Sequence, residues 1–198
     1  MHSLPETKIY ADGFKLALCT VYNEKAEAIQ LRTLWEKQPA ILIFLRHFAC
    51  DACRTHALEI WKSREVYEKK GAKLHFIGNG HPQFMQQFKE MHGLQEASFF
   101  TDPKLSAFNA AGFKRGFWID PGEMHSRGEF LWLATRHAMR KTGSGNVWQL
   151  GGVLAICPGG KVTYQFTSQM MGEFAPSGDI PKIVEATEAP DSKKAKQS

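Results

Sequence analysis

The chain has 198 residues, 43% of them hydrophobic and 23% charged, with 14 Phe, 5 Trp and 4 Tyr. That composition fits one globular domain with a large aromatic core and excludes a disordered, coiled-coil or collagen-like chain. Lys and Arg number 25 against 20 Asp and Glu, a net charge of +5, yet the basic residues cluster only at Lys193, Lys194 and Lys196, which argues against a nucleic-acid surface.

The longest uncharged apolar run ahead of the C-terminal region, Ala40–Leu45, is far below the roughly 20 residues of a membrane span. Met1–Glu6 lacks the basic and apolar blocks of a secretory signal. A soluble, cytoplasmic chain without membrane contact is the expectation.

In chain order, Ala40–Phe44 reads as a strand buried on both faces, because it is apolar without alternation. A helix is predicted from about Cys50 to Lys70, with Ala57, Ile60, Trp61 and Tyr67 on one face and Gly71 as its stop. Lys73–Gly78 reads as a second strand. Pro82–His92 reads as a short helix with Phe84, Phe88 and Met91 at spacings of four and three, closed by Gly93. Ala97–Thr101 is a short strand. Asp102 with Pro103 in the first helical position predicts a helix start, and Gly112 its end. Val153–Cys157 and Lys161–Thr167 flank Pro158-Gly159-Gly160 as a hairpin, and Asp179 is a candidate cap for a last helix.

This order predicts an α/β fold, a mixed sheet with helices on both faces. Lys114–Trp148, with a helix around Glu129–Lys141 and a flexible Gly143-Ser144-Gly145, reads as an insertion before the C-terminal hairpin. Residues 1–187 are taken as one domain and Glu188–Ser198 as a disordered polar tail.

The four cysteines are Cys19, Cys50, Cys53 and Cys157, too few for a secreted disulfide framework. Cys50-Asp51-Ala52-Cys53 is a C-x-x-C pair that follows a buried strand and opens a helix. Unpaired N–H groups and the positive end of the helix dipole stabilise a thiolate there. Residues three apart in a first helical turn also lie within the span of a disulfide. Arg46, Arg54, His47 and His56 each favour a thiolate, whereas Asp51 opposes one.

Dithiol redox chemistry is the preferred reading of the pair. Two alternatives stand beside it: a zinc or copper site built from His47, Cys50, Cys53 and His56, and two inert buried thiols. Cys19 and Cys157 read as core residues. His2, His75, His81, His92, His125 and His137 show no ligand spacing and read as surface or capping residues. Gly143-Ser144-Gly145 is a poor phosphate loop, since no Lys follows it.

The segments Phe44-Leu45-Arg46-His47-Phe48-Ala49-Cys50-Asp51-Ala52-Cys53, Phe99–Asp102 and Trp148-Gln149-Leu150-Gly151-Gly152 together resemble the peroxiredoxin-like branch of the AhpC/TSA superfamily. The resemblance spans most of residues 10–187. It implies a thioredoxin-like three-layer sandwich and an antioxidant thiol oxidoreductase without organic cofactor, acting on a peroxide or a disulfide. Some members of the branch reduce lipid endoperoxides, and the aromatic content here permits an apolar substrate.

Thioredoxin or glutathione would be the reductant, and a homodimer is allowed. Laid on the peroxiredoxin motif P-x-x-x-T-x-x-C, Cys53 takes the peroxidatic position, Cys50 the Thr and Arg46 the Pro. Laid on thioredoxin, Cys50 is the first nucleophile, Cys53 the resolving thiol, and the cis-Pro falls on Gly152. Arg46 is the candidate active-site Arg, with Arg136 behind it, and Arg46 and His47 would favour the thiolate or orient substrate.

Overall fold

A computed structural model of the chain describes residues 10–116, 143–170 and 172–175. At its centre lies β3 (Ala40–Phe44), with all five residues buried. β4 (Lys73–Gly78) runs parallel to it on one side and β6 (Gly152–Ile156) antiparallel on the other. β5 (Phe99–Thr101) lies parallel to β4, and β1 (Thr20–Tyr22) and β2 (Ala28–Gln30) continue antiparallel beyond it. β7 (Val162–Thr167) pairs antiparallel with β6. Among the described residues the sheet order is β2-β1-β5-β4-β3-β6-β7.

Strand side chains alternate between faces, and β3 divides accordingly. Ile41 and Ile43 join Phe76, Val153 and Ala155 on one face, under α2 (Asp51–Lys62) and α4 (Pro82–His92). Those helices supply Ala57, Ile60, Met85 and Phe88. Ala40, Leu42 and Phe44 join Ile77, Leu154 and Ile156 on the other face. There α1 (Gly13–Ala17) and α5 (Ser106–Ala110) supply Leu16, Ala107 and Phe108. Each buried Val, Leu, Ile, Met or Phe among them contributes about 1.5–3 kcal/mol. Both faces of β3 are covered, so its sequence carries no polar alternation. The α/β sandwich expected from the sequence is the one formed.

Several local expectations need correction. The helix from Cys50 to Lys70 is two helices, α2 and α3 (Arg64–Glu68), separated at Ser63. On α4 the buried residues are Pro82, Met85, Phe88 and Lys89, while Met91 is 69% exposed. Spacings of three and four fit two neighbouring stripes of so short a helix, and the sheet takes the Met85 one.

Asp102 does accept the Ala107 N–H at 2.7 Å, but α5 starts only at Ser106, so Pro103 lies in the preceding turn. His75 sits buried inside β4 rather than at the surface. Cys157 is buried as expected, whereas Cys19 is only partly so. Gly143-Ser144-Gly145 is packed rather than free, with the Ser144 and Gly143 carbonyls accepting the Phe48 and His81 N–H groups at 3.2 and 2.8 Å. The expected helix around Glu129–Lys141, Arg136, Asp179, the Asp51 side chain and the tail Glu188–Ser198 lie outside the described residues, as does most of the expected insertion.

Candidate active site

Leu45 extends the parallel ladder by one bond, its N–H reaching the Ile77 carbonyl at 2.8 Å. The chain then turns over Arg46 and His47 into α2. Cys50 is the N-cap of that helix, with extended backbone (φ −93°, ψ 112°), and its Sγ accepts the Cys53 N–H at 3.3 Å. A sulfur thus takes the place that a Ser or Asp oxygen usually fills, and it meets one of the unpaired N–H groups of the first turn.

The Arg46 guanidinium is the second partner. Its Nη1 donates towards Cys50 Sγ at 3.7 Å, and its Nη2 donates to the Val147 carbonyl at 2.7 Å. Arg46 is buried, so its charge acts on the sulfur with little screening by solvent.

The two thiols are driven apart in acidity. The Cys53 thiol beside Cys50, assisted by Arg46 and the helix N–H groups, brings Cys50 to about 6 against the opposing effect of burial. Burial, and then the neighbouring Cys50, push Cys53 well above the usual thiol range. Cys50 is 8% exposed and Cys53 1%. Cys50 is therefore the more acidic thiol and the more exposed residue of the two.

His47 is buried and its Nδ1 accepts the Ala49 N–H at 3.3 Å. His56, one turn beyond Cys53, is buried and stacks on Phe174 at 4.3 Å between ring centres. Burial lowers its pKa to about 4, so it is neutral near pH 7 and supplies no charge to a thiolate. Among the described residues no three His, Cys, Asp or Glu side chains gather to hold a metal ion, and the quartet His47, Cys50, Cys53 and His56 is not assembled as one. Beside Cys53, a small cleft open to solvent is lined by Arg46, Cys53, His56, Gly152, Phe166 and Phe174 among others.

Arg46, Cys50 and Cys53, legible from the sequence, are brought together by the fold. Asn79, Val147 and Phe174 join them without having been expected. A Gly-Asn-Gly run at the end of β4 is the signal for Asn79, since such a turn brings backbone close to a neighbour. Val147 acts through its carbonyl and Phe174 lies far along the chain, so neither leaves a local signature.

A model of the AhpC/TSA antioxidant enzyme family matches residues 59–169, a span that begins beyond Cys53. The prostamide/prostaglandin F synthase of Salmo salar is 30% identical over 163 residues, covering 80% of each chain. Two solved structures share the fold at 13% identity. The peroxidoxin BcpB of Mycobacterium tuberculosis has a TM-score of 0.63 over 96% of this chain and 100% of its own. Peroxiredoxin Q of Xanthomonas campestris has a TM-score of 0.61 over 90% and 95%. Among the described residues no helix is long and apolar enough to cross a membrane.

Proposed function

The chain belongs to the AhpC/TSA antioxidant enzyme family, and we propose that it is a dithiol peroxide reductase in which Cys50 attacks and Cys53 resolves. The observation that carries this reading is the Cys50 sulfur, held at the N-terminus of α2 between the Cys53 N–H and Arg46 Nη1. Both donors stabilise negative charge on that atom and neither reaches it from bulk water.

The Cys50 thiolate attacks the terminal oxygen of a hydroperoxide. The O–O bond breaks, an alkoxide leaves and takes a proton as the alcohol, and Cys50 becomes a sulfenic acid. The Cys53 thiol then condenses with it. A Cys50–Cys53 disulfide forms and water leaves, so two electrons have passed from the thiols to the peroxide. An external dithiol, with thioredoxin and glutathione as the candidate donors, returns the pair to thiols by exchange. Arg46 holds the thiolate and then faces the leaving oxygen. His47 is proposed to orient substrate from the same turn.

The salmon relative is a prostamide/prostaglandin F synthase, which favours a lipid carrying an O–O bond over hydrogen peroxide as substrate. Reduction of a disulfide is the second reading. It is favoured by the order of acidities, since attack from the first cysteine of the pair is the thioredoxin arrangement.

The test is intact mass and peptide mapping of the reduced chain after one equivalent of hydrogen peroxide or of a fatty-acid hydroperoxide. Loss of two hydrogens, mapped to Cys50–Cys53 within seconds, is expected. Slow oxidation scattered over all four cysteines would overturn the peroxide reading.

A further inference from the structure

We infer that Asn79 is a positioning residue for the Arg46–Cys50 pair, holding the guanidinium through the Arg46 main chain and through the loop that carries Val147. The inference rests on the reading of Cys50 as nucleophile with Arg46 as its partner.

β4 ends in Gly78-Asn79-Gly80, beside the turn that leads from β3 into α2. Asn79 is 1% exposed. Its Nδ2 donates to the Arg46 carbonyl and its Oδ1 accepts the Asn146 N–H. The next residue, Val147, offers the carbonyl that receives Arg46 Nη2 at 2.7 Å. One buried amide therefore sets both ends of the same arginine, the main chain from which the side chain departs and the acceptor on which it lands. A free arginine side chain samples many rotamers, and these two anchors remove that freedom before substrate arrives.

The surrounding backbone is built for this contact. Gly145 has φ +121°, and a Cβ there would lie 2.2 Å from both the Asn79 carbonyl oxygen and its Oδ1. Only glycine brings the loop so close. The flanking carbonyls of Gly143 and Ser144 take the N–H groups of His81 and Phe48, which fastens the loop on both sides of Asn79. The Gly-Ser-Gly run, unconvincing as a phosphate loop, has a different use as the docking seat for this amide. Without Asn79 the Val147 carbonyl loses its register, and the guanidinium moves away from a sulfur it meets at 3.7 Å.

The experiment is the pH dependence of Cys50 alkylation by iodoacetamide in the reduced full chain, with peptide mapping, for wild type, Arg46→Ala, Asn79→Ala and the double variant. Arg46→Ala is expected to raise the midpoint by roughly one pH unit. Asn79→Ala is expected to raise it by a part of that. The double variant should match Arg46→Ala alone, since Asn79 acts through Arg46. A purely structural role for Asn79 would lower the melting temperature without moving the midpoint, and that result would overturn the inference, as would additive shifts. An unmoved midpoint in Arg46→Ala overturns the reading of the pair itself and the inference with it. Should Asn79→Ala not fold, Asn79→Ser carries the same expectations, because its hydroxyl reaches at most one of the two anchors.

Discussion

Arg46 and Cys50 meet across the turn between β3 and α2, with Nη1 3.7 Å from Sγ. The arginine also donates to the Val147 carbonyl, so a buried cation sits between a fixed dipole and a sulfur that can carry its counter-charge. Burial alone would raise the pKa of this thiol, but the donors outweigh it and bring Cys50 to about 6. The alkylation rate of Cys50 should therefore reach half its maximum near pH 6, against about 8.5 for a free thiol, and be flat above pH 7. Cys53 should react only after unfolding or at strongly alkaline pH. A midpoint near 8.5 for Cys50, measured by timed alkylation and peptide mapping, would contradict this electrostatic account.

His56 and His75 predict acid sensitivity. Burial is the main cause in both, and it lowers each pKa to about 4, whereas the unfolded chain protonates them near 6.5. Between those values the unfolded state binds more protons, so stability is complete above about 6.5 and falls as the pH drops towards 4. The loss is on the order of 3 kcal/mol for each histidine. Thermal melts from pH 7 to pH 4 should show the decline. His56→Phe, which keeps a ring against Phe174, should flatten part of it, and an unchanged slope in that variant would count against buried neutral His56.

Packing explains why position 152 holds a residue without a side chain. A Cβ on it would lie 2.3 Å from both the Phe166 carbonyl oxygen and the Phe113 ring, and one of these is backbone that cannot turn aside. Gly152→Ala should destabilise the chain by about 1–3 kcal/mol, read by urea denaturation. A neutral effect would show that β7 yields more easily than the packing implies.

Much of the fold is legible in the sequence because its central strands are extreme. AILIF is a continuous apolar run that reads as buried on both faces, KLHFIG reads as a second strand, and the C-x-x-C pair follows the first of them directly. The first thirty residues of the described chain are less legible. β1 and β2 have three residues each, too few for a period-two pattern to show. The break at Ser63 hides in a region of continuous helical propensity. At the site, Cys50, Cys53 and Arg46 declare themselves by local spacing. Asn79 and Val147 do not, because one acts from the neighbouring strand and the other through a carbonyl that any residue type carries.

Lys89 is buried and forms an ion pair with the half-exposed Glu24, with its ammonium 5.7 Å from the Phe99 ring centre. Removing one partner leaves the other uncompensated, whereas an apolar replacement of the buried one need not. Glu24→Ala should cost about 1–2 kcal/mol, discounted for the exposure of Glu24, and Lys89→Met should be near neutral. The comparison is made by chemical denaturation at low and high salt, and the reverse order of effects would contradict it.

The order of attack is the centre of the account, and sulfenic-acid trapping reads it most directly. Reduced Cys53→Ser and Cys50→Ser chains are each given one equivalent of peroxide in the presence of dimedone and mapped by mass spectrometry. The account predicts rapid labelling of Cys50 in Cys53→Ser, and a Cys53 in Cys50→Ser that labels at least tenfold more slowly, since its thiol stays protonated. Rapid labelling of Cys53 and an inert Cys50 would contradict it and restore the peroxiredoxin order.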